Sequence, residues 1–506
     1  MPQRPNLLLI MTDQQRADTI GSLGNPVIRT PALDRLVREG TAFTSAYTPS
    51  AECVPARACL TFGQYPARTG CFSNGMSMPW ETRDNLMAAL SRAGTYTAGI
   101  GKCHFTPASR TFEKNGLAER ATQEELVADP NQDDYHRFLR EKGYGYLKDP
   151  HGVRGEMYYI PQPAQMPAAL HPTQWVGDRA VDFLSKHGHA RQPWFLFASF
   201  IHPHPPFAPP APWHKLYRDA EVPFPSVPPE SERRWVFINH VQNRYKRRDR
   251  GWDLHLLCVM RAYYYACISF VDFQIGRMLQ TLEHTGQLDH TLMIVTSDHG
   301  ELLGDHGCFG KRSYHDAATR IPLLVRGPDV PRGLRCDRPV TLLDVTATLL
   351  NRGGASFQTH TPDGDDLLAL AADPDADRTV FSQWNRGRNA IFLAINRRWK
   401  FVYSAPDQRE LLFDRRRDPD ESRDLAGLVH DPDWTTSRAQ RAMRRCLQEA
   451  LKTMGETTAM DGDEWRLWPV RTLPPNPDAW LLYQDHAWAD QQIPGYTMEP
   501  EGEPPE

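Results

Sequence analysis

Asn6-Leu7-Leu8-Leu9-Ile10-Met11-Thr12-Asp13-Gln14-Gln15 is the stretch on which the fold turns. Its apolar half does not alternate, so it reads as a strand buried on both faces, and it breaks abruptly into polar residues at Thr12. Working outward, the same texture recurs at Thr97 to Ile100, Trp194 to Phe200, Leu292 to Thr296 and Leu323 to Val325. The first three of these run straight into Gly101-Lys102-Cys103-His104, Ile201-His202-Pro203-His204 and Ser297-Asp298-His299-Gly300. Helical patterns lie between them at Pro31 to Glu39, Asn85 to Ala93, Gln174 to Ser185 and Ala262 to His284. Strand and helix alternate, which predicts an α/β fold with a large, doubly wound, mostly parallel sheet flanked by helices. In such a sheet ligands gather just beyond the carboxyl ends of the strands.

After about Asp363 the texture changes. Strand signals at Asn389 to Asn396, Lys400 to Ser404 and Glu410 to Asp414, and a helix from Ser437 to Met454, predict a smaller α+β domain carrying an antiparallel sheet. We expect a main α/β domain over residues 1–362, the small domain over 363–460 and a tail over 461–506. The tail interleaves Trp465, Trp468, Trp480 and Trp488 with prolines, a composition suited to packing on the core or on a neighbouring subunit of a homo-oligomer. Residues 205–255, rich in Pro, Arg and Trp, are expected to form a long excursion near the site.

The chain has 506 residues, 58 Lys plus Arg against 62 Asp plus Glu, and a formal charge of -4 with both signs spread along it. That balance points away from nucleic acid and membrane surfaces as partners. No uninterrupted apolar run approaches the roughly 18 residues of a membrane span. The N-terminus shows no charged n-region, apolar h-region and cleavage site, so a cytoplasmic location is expected. The nine cysteines lack CxxC pairs and zinc-like spacing, which argues against a disulfide framework. Cys59, Cys71 and Cys103 read as small buried hydrophobes.

The chemistry lies at the strand ends. Asp13 and Asp298 can hold a divalent cation through oxygen, Gln14 can lend an amide oxygen and His299 an imidazole nitrogen, a mixed set that suits calcium, magnesium or manganese. Any one such pair alone reads as a turn or a cap, but four of them each follow an apolar strand. Cys53 opens Cys53-Val54-Pro55-Ala56-Arg57, where Pro55 pre-sets the first turn of a helix running through Leu60. A cysteine at a helix N-terminus, with Arg57 one turn on, stands where an anion is favoured.

Cys53-x-Pro55-Ala56-Arg57 resembles the signature of the sulfatase family, within the alkaline phosphatase superfamily, whose cysteine is oxidised to formylglycine by a dedicated generating enzyme. Similar to family motifs as well are Arg4-Pro5-Asn6 with Asp13-Gln14, Thr30-Pro31-x-Leu33-Asp34-x-Leu36, Gly101-Lys102-x-His104 and Pro203-His204-x-Pro206-Phe207. Ser297-Asp298-His299-Gly300-Glu301, Gly304-Asp305-His306-Gly307 with Lys311, and Glu410-Leu411-x-Phe413-Asp414 extend the match. The resemblance covers roughly residues 4–430. It implies one metal ion, calcium first and manganese or magnesium as alternatives, ringed by Asp13, Gln14, Cys53, Asp298 and His299. It further implies that Arg57 and Lys102 steady the hydrated aldehyde, that His104 lies beside its hydroxyls, and that His204 and Lys311 grip the ester.

Two departures matter. Gln14 stands where the family usually has a second Asp, and His299 where it often has Asn, a pairing similar to the phosphonate monoester hydrolase branch. Phe62 precedes Gly63 where the signature normally continues Thr-Gly. The resemblance therefore implies a sulfuric ester hydrolase of arylsulfatase type acting on a small molecule. The alternatives are a phosphonate monoester or phosphodiester hydrolase with the same machinery, and a non-catalytic binding protein of the same fold. His136, His151 and His171, and Trp213, Trp235 and Trp252, are expected to be surface or packing residues.

Overall fold

The opening segment forms strand Asn6–Asp13, every residue of it buried, inside an eight-stranded sheet. This computed structural model describes residues 4–473 except 126, 128, 155–156, 189, 218–220, 247–252 and 428–434, plus two short strands beyond them. Across the sheet the order is Glu119–Thr122, Tyr96–Gly101, Trp194–Pro203, Asn6–Asp13, Thr291–Ser297, Leu323–Arg326, Thr41–Phe43 and Leu334–Cys336. Leu323–Arg326 runs antiparallel to both neighbours, and the other pairings are parallel. The reversal makes the sheet mixed but mostly parallel, as the sequence predicts.

Successive residues of the central strand face opposite sides. Leu7, Leu9 and Met11 enter a cluster with helices Cys53–Phe62, Leu86–Arg92 and Leu342–Gly353, while Leu8 and Ile10 enter one with Pro31–Glu39, Pro172–His187 and Leu254–His284. Helices thus cover both faces. The register pairs Thr12 with Ser297 and Asp13 with Pro203, so three polar strand tips end at one level. Helix Leu254–His284 is long and apolar enough to cross a membrane by length and composition, yet 61% of its most apolar stretch is buried inside the protein.

Strands Val380–Trp384, Ile391–Ile395, Trp399–Ser404 and Arg409–Asp414 form an antiparallel meander. Helix Thr435–Met454 covers one face with Met443, Leu447 and Leu451. The other face packs on Tyr47, Tyr314 and the helix beginning at Phe237. In the tail, Trp465 stacks on Tyr403 with ring centroids 4.1 Å apart, whereas Trp480, Trp488 and also Trp252 lie outside the described residues. Trp213 stacks on Phe270 and Trp235 donates to His306 O, packing roles in both cases. His151 and His171 are buried, and all nine cysteines are free.

Candidate active site

Helix Cys53–Phe62 starts on Cys53 and is buried throughout. Its N-cap residue, Glu52, accepts from Trp384 Nε1 and Arg312 Nη2, each at 2.7 Å, and from the Asn74 N–H at 3.2 Å. The C-terminal sheet therefore pins the start of this helix against the strand tips.

Around Cys53 Sγ stand Lys311 Nζ at 2.7 Å, His299 Nε2 at 3.2 Å and Asp13 Oδ1 at 3.7 Å. Asp13, Cys53, Asp298 and His299 offer ligand atoms within 4.8 Å of one another. His299 Nδ1 faces Gly300 O at 3.0 Å, which fixes the Nδ1 proton there and leaves the Nε2 lone pair on the cluster. Asp298 Oδ1 accepts the Gln14 and His299 N–H groups at 3.0 and 2.9 Å. The Gln14 amide is held at both ends, Nε2 donating to Glu301 and Oε1 accepting from Lys311 Nζ at 3.1 Å.

Arg57 braces the two carboxylates from behind. Its guanidinium donates to Asp298 Oδ2 at 2.9 Å, Asp13 Oδ2 at 3.2 Å, Lys102 O at 2.7 Å and Ser199 Oγ at 3.0 Å. Lys102 Nζ lies 2.7 Å from Asp13 Oδ2 and 2.5 Å from Glu125 Oε2. His204 presents Nδ1 to Pro205 O at 2.7 Å and Nε2 to Lys311 Nζ at 3.2 Å. His104 adopts a left-handed φ of 56°, and its buried Nδ1 has no hydrogen-bond partner among the described residues.

Burial works against every charge here, and the partners decide the outcome. For Asp13 burial is outweighed by the cations Lys102, Arg57 and Lys311, which hold its carboxyl well below the usual range. Lys102 is raised above its ordinary value because Asp13 and Glu125 overcome burial. Burial pushes the Cys53 thiol up to about 12, with Asp13 adding to the shift. Burial, then Lys102, brings His104 down to about 3, and burial lowers His204 and His299 against neighbouring carboxylates. All three rings are therefore neutral near pH 7.

Two carboxylates, a neutral imidazole nitrogen and a nearby amide oxygen fit a hard or borderline divalent cation. The ten predicted site residues all fall in this one region, nine linked by side-chain contacts and His104 by its place beside Lys102. Missed were Glu124 and Glu125, which hold the Lys102–His104 loop and His204, Arg154, which pairs with Glu125, and Glu52, which anchors the start of the Cys53 helix. Glu124 and Glu125 follow the charged edge strand Glu119–Thr122, which carries no apolar run to announce it.

Fold and site together define a hydrolase of mixed α/β fold whose strand tips converge on Cys53. The sulfatase family profile matches residues 5–355, and the chain belongs to the sulfatase family. It is 30% identical over 472 residues to a choline-sulfatase of Rhizobium meliloti, covering 87% of this chain and 86% of that protein. Against an arylsulfatase of Clostridium perfringens the identity is 29% over 466 residues, covering 85% and 91%. The crystal structure of a phosphonate monoester hydrolase of Agrobacterium radiobacter superposes with a TM-score of 0.73 at 26% identity, covering 89% of this chain and 95% of the other.

Proposed function

We propose that this protein hydrolyses sulfate esters, with residue 53, oxidised from cysteine to formylglycine, as the nucleophile beside one divalent cation. The observation that carries the reading is the placement of Cys53 Sγ within 3.7 Å of Asp13, 3.2 Å of His299 and 2.7 Å of Lys311. When bound by Asp13, Gln14, Asp298 and His299, the cation, calcium first and manganese or magnesium as alternatives, supplies Lewis-acid activation of the oxidised side chain.

The protein's own groups do the rest. Arg57 and Lys102 balance the carboxylates, and Lys311 is within reach of the ester oxygens, where a fixed positive charge is worth most. Lys311 donates to His204 Nε2, so the Lys311–His204 pair holds the proton for the departing alcohol. His104, neutral and with an open Nδ1, accepts a proton as residue 53 is regenerated. Arming residue 53 requires a formylglycine-generating enzyme as a transient partner. Beyond domains at 1–362 and 363–460, a tail from residue 461 packs on the core, where Trp465 stacks on Tyr403, or on a neighbouring subunit of a homo-oligomer.

Gln14 and His299 favour a second reading, hydrolysis of phosphonate monoesters or phosphodiesters at the same site. Initial rates on nitrophenyl sulfate and on a nitrophenyl phenylphosphonate separate the two. A higher kcat/KM on the sulfate is expected, and a preference for the phosphonate hands the site to the second reading. Cys53→Ala is expected to abolish both activities; retention of either refutes the nucleophile.

A further inference from the structure

Glu124 and Glu125 leave the edge strand Glu119–Thr122 and lie against Gly101-Lys102-Cys103-His104, the loop at the tip of the neighbouring strand. Glu124 accepts the Cys103 N–H on Oε1 at 2.9 Å and the His104 N–H on Oε2 at 3.1 Å. These bonds hold His104 in a left-handed conformation that a residue with a Cβ keeps only when its surroundings fix it. Glu125 places Oε2 at 2.5 Å from Lys102 Nζ, and Oε1 at 3.2 Å from His204 Nδ1 and 2.9 Å from Arg154 Nη1. Its side chain is 9% exposed and that of Arg154 5%.

We propose that the Glu124–Glu125 pair is the positioning element of the site, Glu124 aiming His104 through its backbone and Glu125 tying Lys102 to His204. The inference rests on the reading above for what those three residues do. A lysine ammonium on a four-carbon stem has no preferred direction of its own, and stretched between Asp13 and Glu125 it has one. A carboxylate 3.2 Å from His204 Nδ1, beside the Pro205 O that faces the same nitrogen at 2.7 Å, likewise helps keep Nε2 toward the reacting groups. Arg154 in turn locks the Glu125 carboxylate.

In Glu125→Gln, kcat is expected to fall about 10- to 100-fold with KM changed less, as for the loss of a carboxylate that orients an active group. The loss should be larger on phenyl sulfate than on nitrophenyl sulfate, because the poorer leaving group depends more on the proton held by the Lys311–His204 pair. Arg154→Gln leaves both glutamates in place and should show the same pattern more weakly. Independently of turnover, Glu124→Ala should speed amide exchange at Cys103 and His104 while helix Cys53–Phe62 exchanges as in the wild type. Equal losses on the two esters in both variants, or unchanged exchange in Glu124→Ala, would overturn the proposal. A wild type that cleaves neither ester counts against the proposed reaction alone, and the exchange measurement then decides the positioning role.

Discussion

Replacing Arg57 tests the electrostatic frame of the site. The guanidinium is buried and makes four hydrogen bonds, two of them to carboxylates. In Arg57→Ala, Asp13 keeps Lys102 at 2.7 Å, but Asp298 is left with two backbone N–H donors on Oδ1 and loses the arginine from Oδ2. Breaking a buried ion pair from one side costs about 3–5 kcal/mol, because the remaining charge stays buried without its partner. Arg57→Lys restores the charge but not the fork that reaches four acceptors, so a loss of about 1–3 kcal/mol is expected. Urea unfolding followed by tryptophan fluorescence reads both, with the order Ala below Lys below wild type. Calcium should recover part of the loss, since a cation beside Asp13 and Asp298 takes over the compensation. An Arg57→Ala variant within about 0.5 kcal/mol of wild type, the range of an ordinary surface substitution, would refute this reasoning.

Three further outcomes are expected. Divalent cation should raise the unfolding midpoint of the wild type, by about 2.7 kcal/mol at a hundredfold excess over Kd, and Asp298→Asn should lose that gain; a midpoint indifferent to every cation tried contradicts the ligand set. Asp272, buried, takes the Ala32 and Leu33 N–H groups at 3.1 and 2.8 Å, and burial lifts its carboxyl from 3.8 to about 7. A folded value above the unfolded one means its stabilising contribution is complete below pH 4 and lost as pH rises to about 7. Asp272→Asn should therefore flatten the fall in stability between about pH 4 and pH 7, measured as urea midpoints, and an unchanged slope speaks against this. Trp384→Phe removes one donor from Glu52, and a loss of about 1–2 kcal/mol in the same assay is expected, with an unaltered midpoint as the contrary result.

Much of this was legible in the sequence because a doubly covered sheet demands apolar strands, and a strand such as Asn6–Asp13 can turn polar only where it leaves the sheet. That is why Asp13, Lys102, His204 and Asp298 announced themselves. The edge strand Glu119–Thr122 is half-exposed and charged, and Thr41–Phe43 and Leu334–Cys336 are three residues each, too short for any periodicity. Val380–Trp384 mixes Ser and Gln with aromatics, and helix Leu342–Gly353 is apolar with a Thr341–Asp344 capping box that went unread. Lys311 as a site residue, and the role of His204, come from family resemblance; spacing alone could not bring the two together. Glu125 could not be found at all, since its partners lie 23, 29 and 79 positions away and only the folded chain makes them neighbours.

The most direct measurement is the mass of the tryptic peptide spanning residues 39–57, released by cleavage after Arg38 and Arg57. Thiol-to-aldehyde oxidation at position 53 predicts a peptide about 18 Da lighter than the unmodified sequence, in protein active on the ester. Fully active protein carrying an unmodified Cys53 would contradict it.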